Sequence, residues 1–287
     1  MRRFSILSLL TATLLLFTAC DKIAEDEFVV FAGASGTWYD SEADIPAVQR
    51  AFVEKYTGVR CVNCPNADVV LHELGEKYGD QLIVAAIHVP NNFGKPLHGE
   101  QDLRTEKGST WFNTFFSSSQ NLPSALLNRG KADVGSLDII DPQARFDDKI
   151  DATINATPQV GMTLACAKDG DNYNAEVHIQ FNQTVADPLS LTLLVIEDKI
   201  YTSQQSKTPD GIIEIENYEQ NHVLRDVVTD AWGIDVVADG KQGTKRMILL
   251  PFGISETWNP ANCHVIAFVS NKATREIVNV AQCELQQ

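Results

Sequence analysis

The sequence predicts an α/β domain followed by an all-β domain, because the hydrophobic pattern changes once along the chain. Between residues 46 and 156, apolar runs typical of strands alternate with segments of helical spacing, which is the pattern of an α/β domain. After Thr157-Pro158, strand-like segments follow one another with turn residues between them. With 287 residues the chain is long enough for two domains, and we predict them at 46–156 and 157–287.

The charge balance excludes some classes of partner. Hydrophobic residues make up 44% of the chain and charged residues 21%, as in an ordinary globular protein. There are 23 Lys and Arg residues against 38 Asp and Glu residues, which gives a formal net charge of −15. Nucleic acid and anionic lipid both attract clustered basic side chains. We therefore expect no nucleic-acid partner and no electrostatic docking onto a membrane.

Residues 1–19 are predicted to be an export signal that is removed from the mature chain. Arg2 and Arg3 precede an apolar stretch at residues 4–17, and small residues follow it. The stretch is shorter than the roughly 18 apolar residues that a transmembrane helix needs.

The end of this signal predicts a lipid anchor. The segment Phe17-Thr18-Ala19-Cys20 is similar to the lipobox of bacterial lipoproteins, which ends in small residues and a cysteine. We predict that Cys20 is lipidated, with residues 20–45 as its tether; an ordinary secretory signal or membrane anchor is the alternative. Several acyl chains on one residue give stable membrane attachment without a basic patch.

The α/β domain is predicted to contain three strands and three helices. Residues 82–89 form a nearly continuous apolar run, as expected for a strand buried on both faces of a parallel sheet. The helix before it has apolar residues near helical spacing, and Gly79 would end it. In chain order we predict a strand at 48–56, a helix at 66–78, a strand at 82–89, a helix at 105–116, a strand at 124–127 and a helix at 142–154.

The second half is predicted to be a β-sandwich of immunoglobulin-like type. Asp169-Gly170-Asp171-Asn172 is a tight hairpin signal between two of its strands. Residues 218–229 are the one segment here with a helical pattern. The strands are predicted at 159–166, 172–181, 189–198, 245–252, 263–270 and 275–283.

A pair of cysteines carries the chemistry that the sequence indicates. Cys61-Val62-Asn63-Cys64 follows a predicted strand and opens a predicted helix. The helix N-terminus favours the thiolate form of the first cysteine, and the second lies one turn on, within reach of a disulfide. We therefore predict a Cys61–Cys64 disulfide or dithiol.

A metal or haem site fits the sequence less well. A zinc site would need a second pair of ligands, and Cys166, Cys263 and Cys283 lack that spacing. A c-type haem site would need His after the second cysteine, where Pro65 stands instead. In an exported protein this favours a thioredoxin-like dithiol or disulfide, with no cofactor and no metal.

Pro123 is the second element that favours a thioredoxin-like fold. Such domains place a cis-proline before a sheet strand, facing the cysteine pair. Leu122-Pro123 precedes the predicted strand at 124–127, so we predict a cis bond there. A trans turn proline is the alternative, since most X–Pro bonds are trans.

Segments across the mature chain resemble one known family. They lie at 56–65, 85–88, 102–105, 122–129, 221–226, 231–233, 258–260 and 264–269. They are similar to the 28-kilodalton outer-membrane protein family, thioredoxin-like outer-membrane lipoproteins of bacteroidetes. The resemblance implies a thioredoxin-like domain fused to a β-sandwich, attached to the outer membrane. Surface receptor and adhesin roles have been suggested for this family.

One hypothesis is a thiol–disulfide oxidoreductase. Cys61 would be the attacking thiolate, Cys64 would resolve the mixed disulfide, and Pro123 would shape the substrate groove. Glu54 is the candidate for a buried acid that helps to deprotonate the resolving cysteine, although its spacing is one residue longer than in thioredoxin. Arg60 would lower the pKa of its neighbour Cys61.

The other hypothesis, which we favour, is a binding, assembly or surface receptor-like protein with a non-catalytic disulfide. Arg60 replaces the Trp that precedes the first cysteine in efficient thioredoxins. A lipidated chain with a large β domain also suits an adaptor, and a fold does not by itself certify an activity. The partner protein, the oligomeric state and the side of the membrane stay open.

Two further expectations concern single side chains. His88 ends a predicted strand and is expected to be a hydrogen-bonded core histidine rather than a catalytic one. Of the three cysteines in the second half, we expect two to pair in an oxidising compartment, and we expect the pair to be Cys166 and Cys283, because the first and last strands of a sandwich are often neighbours. Cys263 would then stay free and buried.

Overall fold

The structure, a computed structural model, describes residues 35–116, 121–130 and 146–285. This part of the chain is mixed α/β, with many strands and few helices. The helices are α1 (Cys64–Tyr78), α2 (Glu106–Phe115) and α3 (Phe146–Ile154). The strands are β1 (Trp38–Asp40), β2 (Ala51–Thr57), β3 (Leu82–His88), β4 (Ser124–Leu127), β5 (Val160–Asp169), β6 (Asn172–Phe181), β7 (Leu189–Glu197), β8 (Ile200–Thr208), β9 (Gly211–Gln220), β10 (Val223–Val227), β11 (Ile234–Asp235), β12 (Lys245–Phe252), β13 (Cys263–Asn271) and β14 (Ile277–Glu284).

Several of the predicted segments lie outside the described residues. They are the signal peptide, Cys20, the tether up to residue 34 and the first part of the helix predicted at 142–154. Within the described ranges, no helix is both long and apolar enough to cross a membrane.

An eight-stranded sheet combines strands from both halves of the chain. Its order is β14-β13-β7-β10-β3-β2-β4, and β11 also pairs with β7. β10 connects the halves, because it runs antiparallel to β7 and meets β3 in parallel. There the Ala86 N–H donates a hydrogen bond of 2.7 Å to the His222 carbonyl. The two halves therefore share main-chain hydrogen bonds, and the domain boundary at residue 157 stays a prediction.

A four-stranded sheet, β1-β12-β6-β5, packs against one end of the large sheet. Apolar side chains of β5, β6 and β12 meet those of β7, β13 and β14 in one buried cluster. Alternation along each strand turns every second residue into this cluster. Its fully buried members include Met162, Val177, Ile179, Leu191, Leu193, Val195, Ile248, Leu250, Val265 and Ala267.

β7 is buried along its whole length, because both of its faces are covered. Leu193 and Val195 face the four-stranded sheet, whereas Leu194 and Ile196 join the cluster beneath α2. This explains the continuous apolar run from Leu193 to Ile196, and the polar residues that alternate with leucine before it, Ser190 and Thr192, are buried as well.

The helices lie on opposite faces of the α/β part of the large sheet. α1 and α3 pack on the face of β2 that carries Ala51 and Val53. α2 packs on the other face, where Trp111 and Phe112 meet Phe52 of β2. α1 ends at Gly79, whose φ of 52° favours glycine. α2 begins at Thr105, whose side chain accepts a hydrogen bond from the Gly108 N–H.

Most predicted elements are confirmed within a few residues at their ends. The Leu122–Pro123 bond is cis, as predicted. The β5–β6 hairpin turns at Gly170, with φ 61°. The helical interpretation of 218–229 is wrong, because this segment is the end of β9 followed by β10. The sequence analysis also missed β1, β8, β11 and the part of β9 before residue 218. β1 and β11 are short, and β8 is polar.

Cys166 of β5 and Cys283 of β14, the pair expected from the sequence, lie next to each other but are not bonded. Their sulfur atoms are 2.6 Å apart, and neither cysteine is in a disulfide in this structure. The Cys283 neighbour and burial both raise the pKa of the Cys166 thiol. Cys263 is also free and is buried.

Oxidised glutathione should convert Cys166 and Cys283 into a disulfide, because their sulfurs already touch. Each thiol loses a proton, and the electron pair reduces glutathione disulfide to two glutathione thiols. Peptide mapping should find the cross-link, and urea unfolding should show a gain of roughly 2–4 kcal/mol. Cys263→Ser should keep both effects and Cys283→Ser should lose both. A cross-link that includes Cys263 would contradict this prediction.

Candidate functional site around the Cys61–Cys64 disulfide

Cys61 and Cys64 form a disulfide between the end of β2 and the start of α1. Their Cα atoms are 5.4 Å apart. Cys64 is the first residue of α1, and Pro65 occupies the first turn, where a missing N–H costs nothing. The loop before Cys61 turns at Gly58, where a Cβ would lie 2.3 Å from the Phe93 carbonyl oxygen. Only glycine fits this close approach of two backbones.

Neither sulfur-bearing side chain is exposed to solvent. Cys61 is 2% exposed and Cys64 is 1% exposed. Both belong to the apolar cluster beneath α2. A thiolate from outside must reach one sulfur directly to exchange with a disulfide. In this arrangement the disulfide is therefore shielded from a protein substrate.

The β8–β9 hairpin, residues 200–220, covers the disulfide loop. The Gln205 N–H donates to the Val59 carbonyl and the Lys207 N–H donates to the Val62 carbonyl, each over 2.8 Å. Donors two residues apart are what one edge of a strand presents. The Gln204 side chain adds a hydrogen bond of 3.1 Å from Nε2 to the Cys61 carbonyl. β8 thus takes the place of a neighbouring strand along the disulfide loop.

Polar contacts hold the base of the hairpin to the rest of the protein. The Glu100 carboxylate accepts hydrogen bonds from the Ser203 N–H at 2.9 Å and from the Ser203 hydroxyl at 2.8 Å. The buried Gln220 amide donates to Gln204 at 3.0 Å. The Tyr218 hydroxyl donates to Asp68 of α1 at 2.9 Å. These partners satisfy buried polar groups, which would be costly to bury unpaired.

The cis-proline turn contributes to the apolar cluster that contains the cysteines. Leu122 and Pro123 are buried, and Leu122 belongs to the apolar cluster that contains both cysteines. The structure therefore brings the cis-proline turn and the disulfide to one buried cluster.

Arg60 has a different environment from the one predicted. Its Nε donates to the Lys95 carbonyl at 2.9 Å and its Nη2 donates to the Pro96 carbonyl at 2.6 Å. The guanidinium group therefore fixes the loop after β3. Cys61 is in a disulfide and has no proton to lose in this state.

Glu54 has a structural partner, which leaves its suggested role in proton transfer without support. Its carboxylate accepts two hydrogen bonds from Arg129, the one from Nε at 2.8 Å. Glu54 is fully buried and Arg129 is 2% exposed. The Arg129 guanidinium carbon also lies over the rings of Trp111 at 4.5 Å and Phe268 at 5.0 Å. A buried carboxylate needs such a partner to remain charged.

Sequence reasoning missed this ion pair and a second one beside it. Lys55, which is 2% exposed, pairs with Asp68 of α1. Both pairs begin at Glu54-Lys55, two charged residues in the middle of an otherwise uncharged and fully buried strand. That interruption was the available signal, because charged residues are seldom fully buried without partners.

His88 is buried at the end of β3, but it is not the hydrogen-bonded histidine that was expected. It is 1% exposed, and neither ring nitrogen has a hydrogen-bond partner among the described residues. Burial, together with the nearby charges of Lys55 and Arg225, lowers the pKa of His88 to about 3. Across the described ranges, no three side chains of the His, Cys, Asp and Glu types are grouped to hold a metal ion.

Replacing Glu54 by Gln should strongly destabilise the protein, because Arg129 would keep a buried charge without its counter-ion. We expect urea unfolding to show a loss of about 3–5 kcal/mol. Asp235→Asn is the matched control, since it breaks the exposed pair with Lys272. Its cost should be within about 1 kcal/mol. Equal effects of the two substitutions would contradict the structural role of Glu54.

His88 should make the protein less stable as the pH falls below the ordinary histidine pKa. The unfolded chain binds a proton near pH 6.5, whereas folded His88 binds it only near its lowered pKa of about 3. Between these values, the unfolding free energy should fall by up to about 1.4 kcal/mol per pH unit. Urea titrations from pH 6.5 to 4 should show that His88→Leu lacks this part of the slope. Replacing the exposed His72 in the same way should leave the slope unchanged; a His88→Leu variant that keeps it would refute the assignment.

Comparison with known proteins identifies the family. The family described as outer membrane protein Omp28 matches residues 112–287, more than half of the chain. No curated protein matches the sequence. Among solved structures, HBP35 of Porphyromonas gingivalis aligns with a TM-score of 0.63 and 18% identity, over 84% of this chain and 77% of that one. At this identity, the likeness shows a shared fold alone.

Two further solved structures are less similar. A structural-genomics protein from Agrobacterium tumefaciens has a TM-score of 0.49 and 17% identity, over 84% of this chain and 98% of that chain. A domain of the outer membrane lipoprotein Omp28 from Porphyromonas gingivalis has a TM-score of 0.33 and 16% identity, over 45% and 89%. The family match confirms both the resemblance and the outer-membrane location predicted from the sequence. The chain belongs to the Omp28 family of outer membrane proteins.

Proposed function

We propose that this chain is a lipid-anchored outer-membrane protein that binds or assembles with another protein and keeps its Cys61–Cys64 disulfide shielded. The observation that carries the proposal is the cover formed by the β8–β9 hairpin over two cysteines that are 2% and 1% exposed. An enzyme that exchanges disulfides with protein clients needs one sulfur within reach of the client. A binding protein has no such requirement.

The fold that we propose for this role has two parts. The order β2-α1-β3-α2-β4, with the cysteine pair opening α1 and a cis-proline before β4, supports a thioredoxin-like domain at 46–156. The facing sheets of the second half support an immunoglobulin-like sandwich at 157–287. In this proposal Cys20 carries the lipid, and residues 20–45 tether the folded part to the membrane.

A thiol–disulfide oxidoreductase is the second candidate, and one observation favours it. The hairpin is a separate two-stranded sheet, attached to the disulfide loop through hydrogen bonds rather than through a large apolar core. Such an element can open at a lower free-energy cost than the core strands. In an open state, Cys61 could be attacked, Cys64 would be the leaving thiolate, and Pro123 would border the groove.

The disulfide in the wild-type protein should be reduced slowly by dithiothreitol and should not support catalytic reduction of insulin. Glu100→Ala removes the carboxylate that holds Ser203, a contact of the charged kind worth about 1.5–3 kcal/mol. Opening should then be favoured by about tenfold or more, and the rate of reduction should rise by the same factor. Labelling of the released thiols would measure that rate.

The matched control for this experiment is Glu219→Gln. Glu219 is an exposed glutamate on the same hairpin, and its hydrogen bonds are with Tyr201 of the hairpin and with Asn221, the residue that follows it. We expect its reduction rate to equal that of the wild type. Sustained insulin turnover by the wild-type protein would reject the binding proposal and favour the oxidoreductase.

A further inference from the structure

β9 presents an open sheet edge on the surface of the protein. It pairs with β8 along one edge, from Gly211 opposite Thr208 to Gln220 opposite Ile200. Along its other edge, no strand in the described part of the chain pairs with it. An edge strand carries a row of unpaired N–H and carbonyl groups, which is a template for another extended chain.

The side chains of this hairpin are unusually apolar for an exposed element. Ile212 is 66% exposed and Ile213 is 46% exposed, and Tyr201 on β8 is 58% exposed. Exposed edges are usually protected by lysine, proline or an inward-pointing charge. The first five residues of β9 contain neither lysine nor proline, and the β-bulge of the hairpin lies further on, around Asn217. The edge is therefore both open and able to bury apolar surface.

The charge of β9 indicates which kind of strand would pair with it. Glu214, Glu216 and Glu219 are its charged residues, and it has no basic residue. Glu214 contacts His98, and Glu219 accepts a hydrogen bond from Tyr201. A second copy of β9 would place carboxylates opposite carboxylates, which is destabilising. A strand with lysine or arginine would place opposite charges across the pair.

We infer that the open edge of β9 docks an extended polypeptide segment of another protein, in which basic and apolar side chains alternate. The segment would add a third strand to the β8–β9 hairpin, so that main-chain hydrogen bonds supply affinity and the side chains supply specificity. Its apolar residues would cover Ile213 on one face and its basic residues would meet Glu216 on the other, because side chains alternate between the two faces of a strand. This inference rests on the proposed binding role and names the class of partner.

The strand addition also has a consequence for the disulfide. A two-stranded hairpin is marginally stable alone, and a third strand makes it more stable. A partner that binds the closed hairpin therefore favours the closed state by its own binding free energy. Docking at β9 would keep Cys61 and Cys64 covered while the partner is bound.

The test uses the mature lipidated chain in neutral detergent and a fluorescent ten-residue peptide of alternating Lys and Val, capped at both ends. We expect saturable binding, seen by fluorescence anisotropy, with slower hydrogen exchange of the β9 amides. The double substitution Ile213→Lys and Glu216→Lys should weaken binding by about tenfold or more, because it removes apolar surface on one face and reverses a charge on the other. Val237→Lys with Glu256→Lys makes the same charge change outside the hairpin and should leave binding unchanged.

Two control peptides separate strand addition from simple charge attraction. The same peptide with N-methylated backbone amides cannot donate main-chain hydrogen bonds and should not bind. A peptide of the same composition with all Lys before all Val should also not bind. Equal binding of either control, or protection of amides outside β9, would overturn the inference.

Self-association through β9 without peptide would overturn it too, because the occupant would then be a second copy. Failure of the peptide to bind while the disulfide stays inert towards insulin would refute this inference alone. Insulin turnover together with specific peptide binding would instead refute the binding-only role and leave the β9 edge as a docking surface.

Discussion

The rest of the structure depends on the burial of β7 on both faces. All nine residues from Leu189 to Glu197 are buried, with one set of side chains in the core of the facing sheets and the other beneath α2. A strand of this kind cannot lie on the surface of a separate sandwich, because one apolar face would then meet water. β10 fills the position between β7 and β3, so the second half of the chain completes the sheet that the first half begins.

The buried ion pair of Glu54 and Arg129 stabilises the core that the two halves of the chain share. The pair connects β2 to the segment that follows β4. The Arg129 guanidinium lies among aromatic rings from both halves, including Trp111, Trp232 and Phe268. Arg275 stacks on the other side of this group, with its guanidinium carbon 3.5 Å from the Trp232 ring centre. Cation–π contacts and the carboxylate together compensate for the loss of hydration of Arg129. Glu54, the candidate acid of the cysteine pair, therefore stabilises the core.

Contacts with residues distant in the chain also explain why the Cys61–Cys64 disulfide is shielded. Cysteine pairs of this type gain reactivity from an exposed helix N-terminus. Here the helix N-terminus lies under a hairpin whose own main-chain groups bond to the disulfide loop, and whose polar side chains have partners below it. The β8–β9 hairpin that covers the site has a free edge along β9. In our proposal, binding of a partner at that edge and exposure of the disulfide are linked through the hairpin.

The sequence by itself determined the local features: the strands and helices with strong periodicity, the cysteine pair at the start of α1, the cis-proline, the β5–β6 turn and the family. Each of these features depends on a short stretch of sequence, so the sequence pattern indicates it without any contact to distant residues. The tertiary structure decided the features that need a partner distant in the chain. β8 is a polar strand and β9 mixes isoleucine with glutamate; they are stabilised by each other and, through β8, by the loop at 58–62, so 218–229 resembled a helix. The charge of Glu54 within an apolar strand indicated a buried partner, but only the structure shows that the partner is Arg129. His88 gave no sign of its unpaired ring nitrogens, because these depend on what folding places beside them.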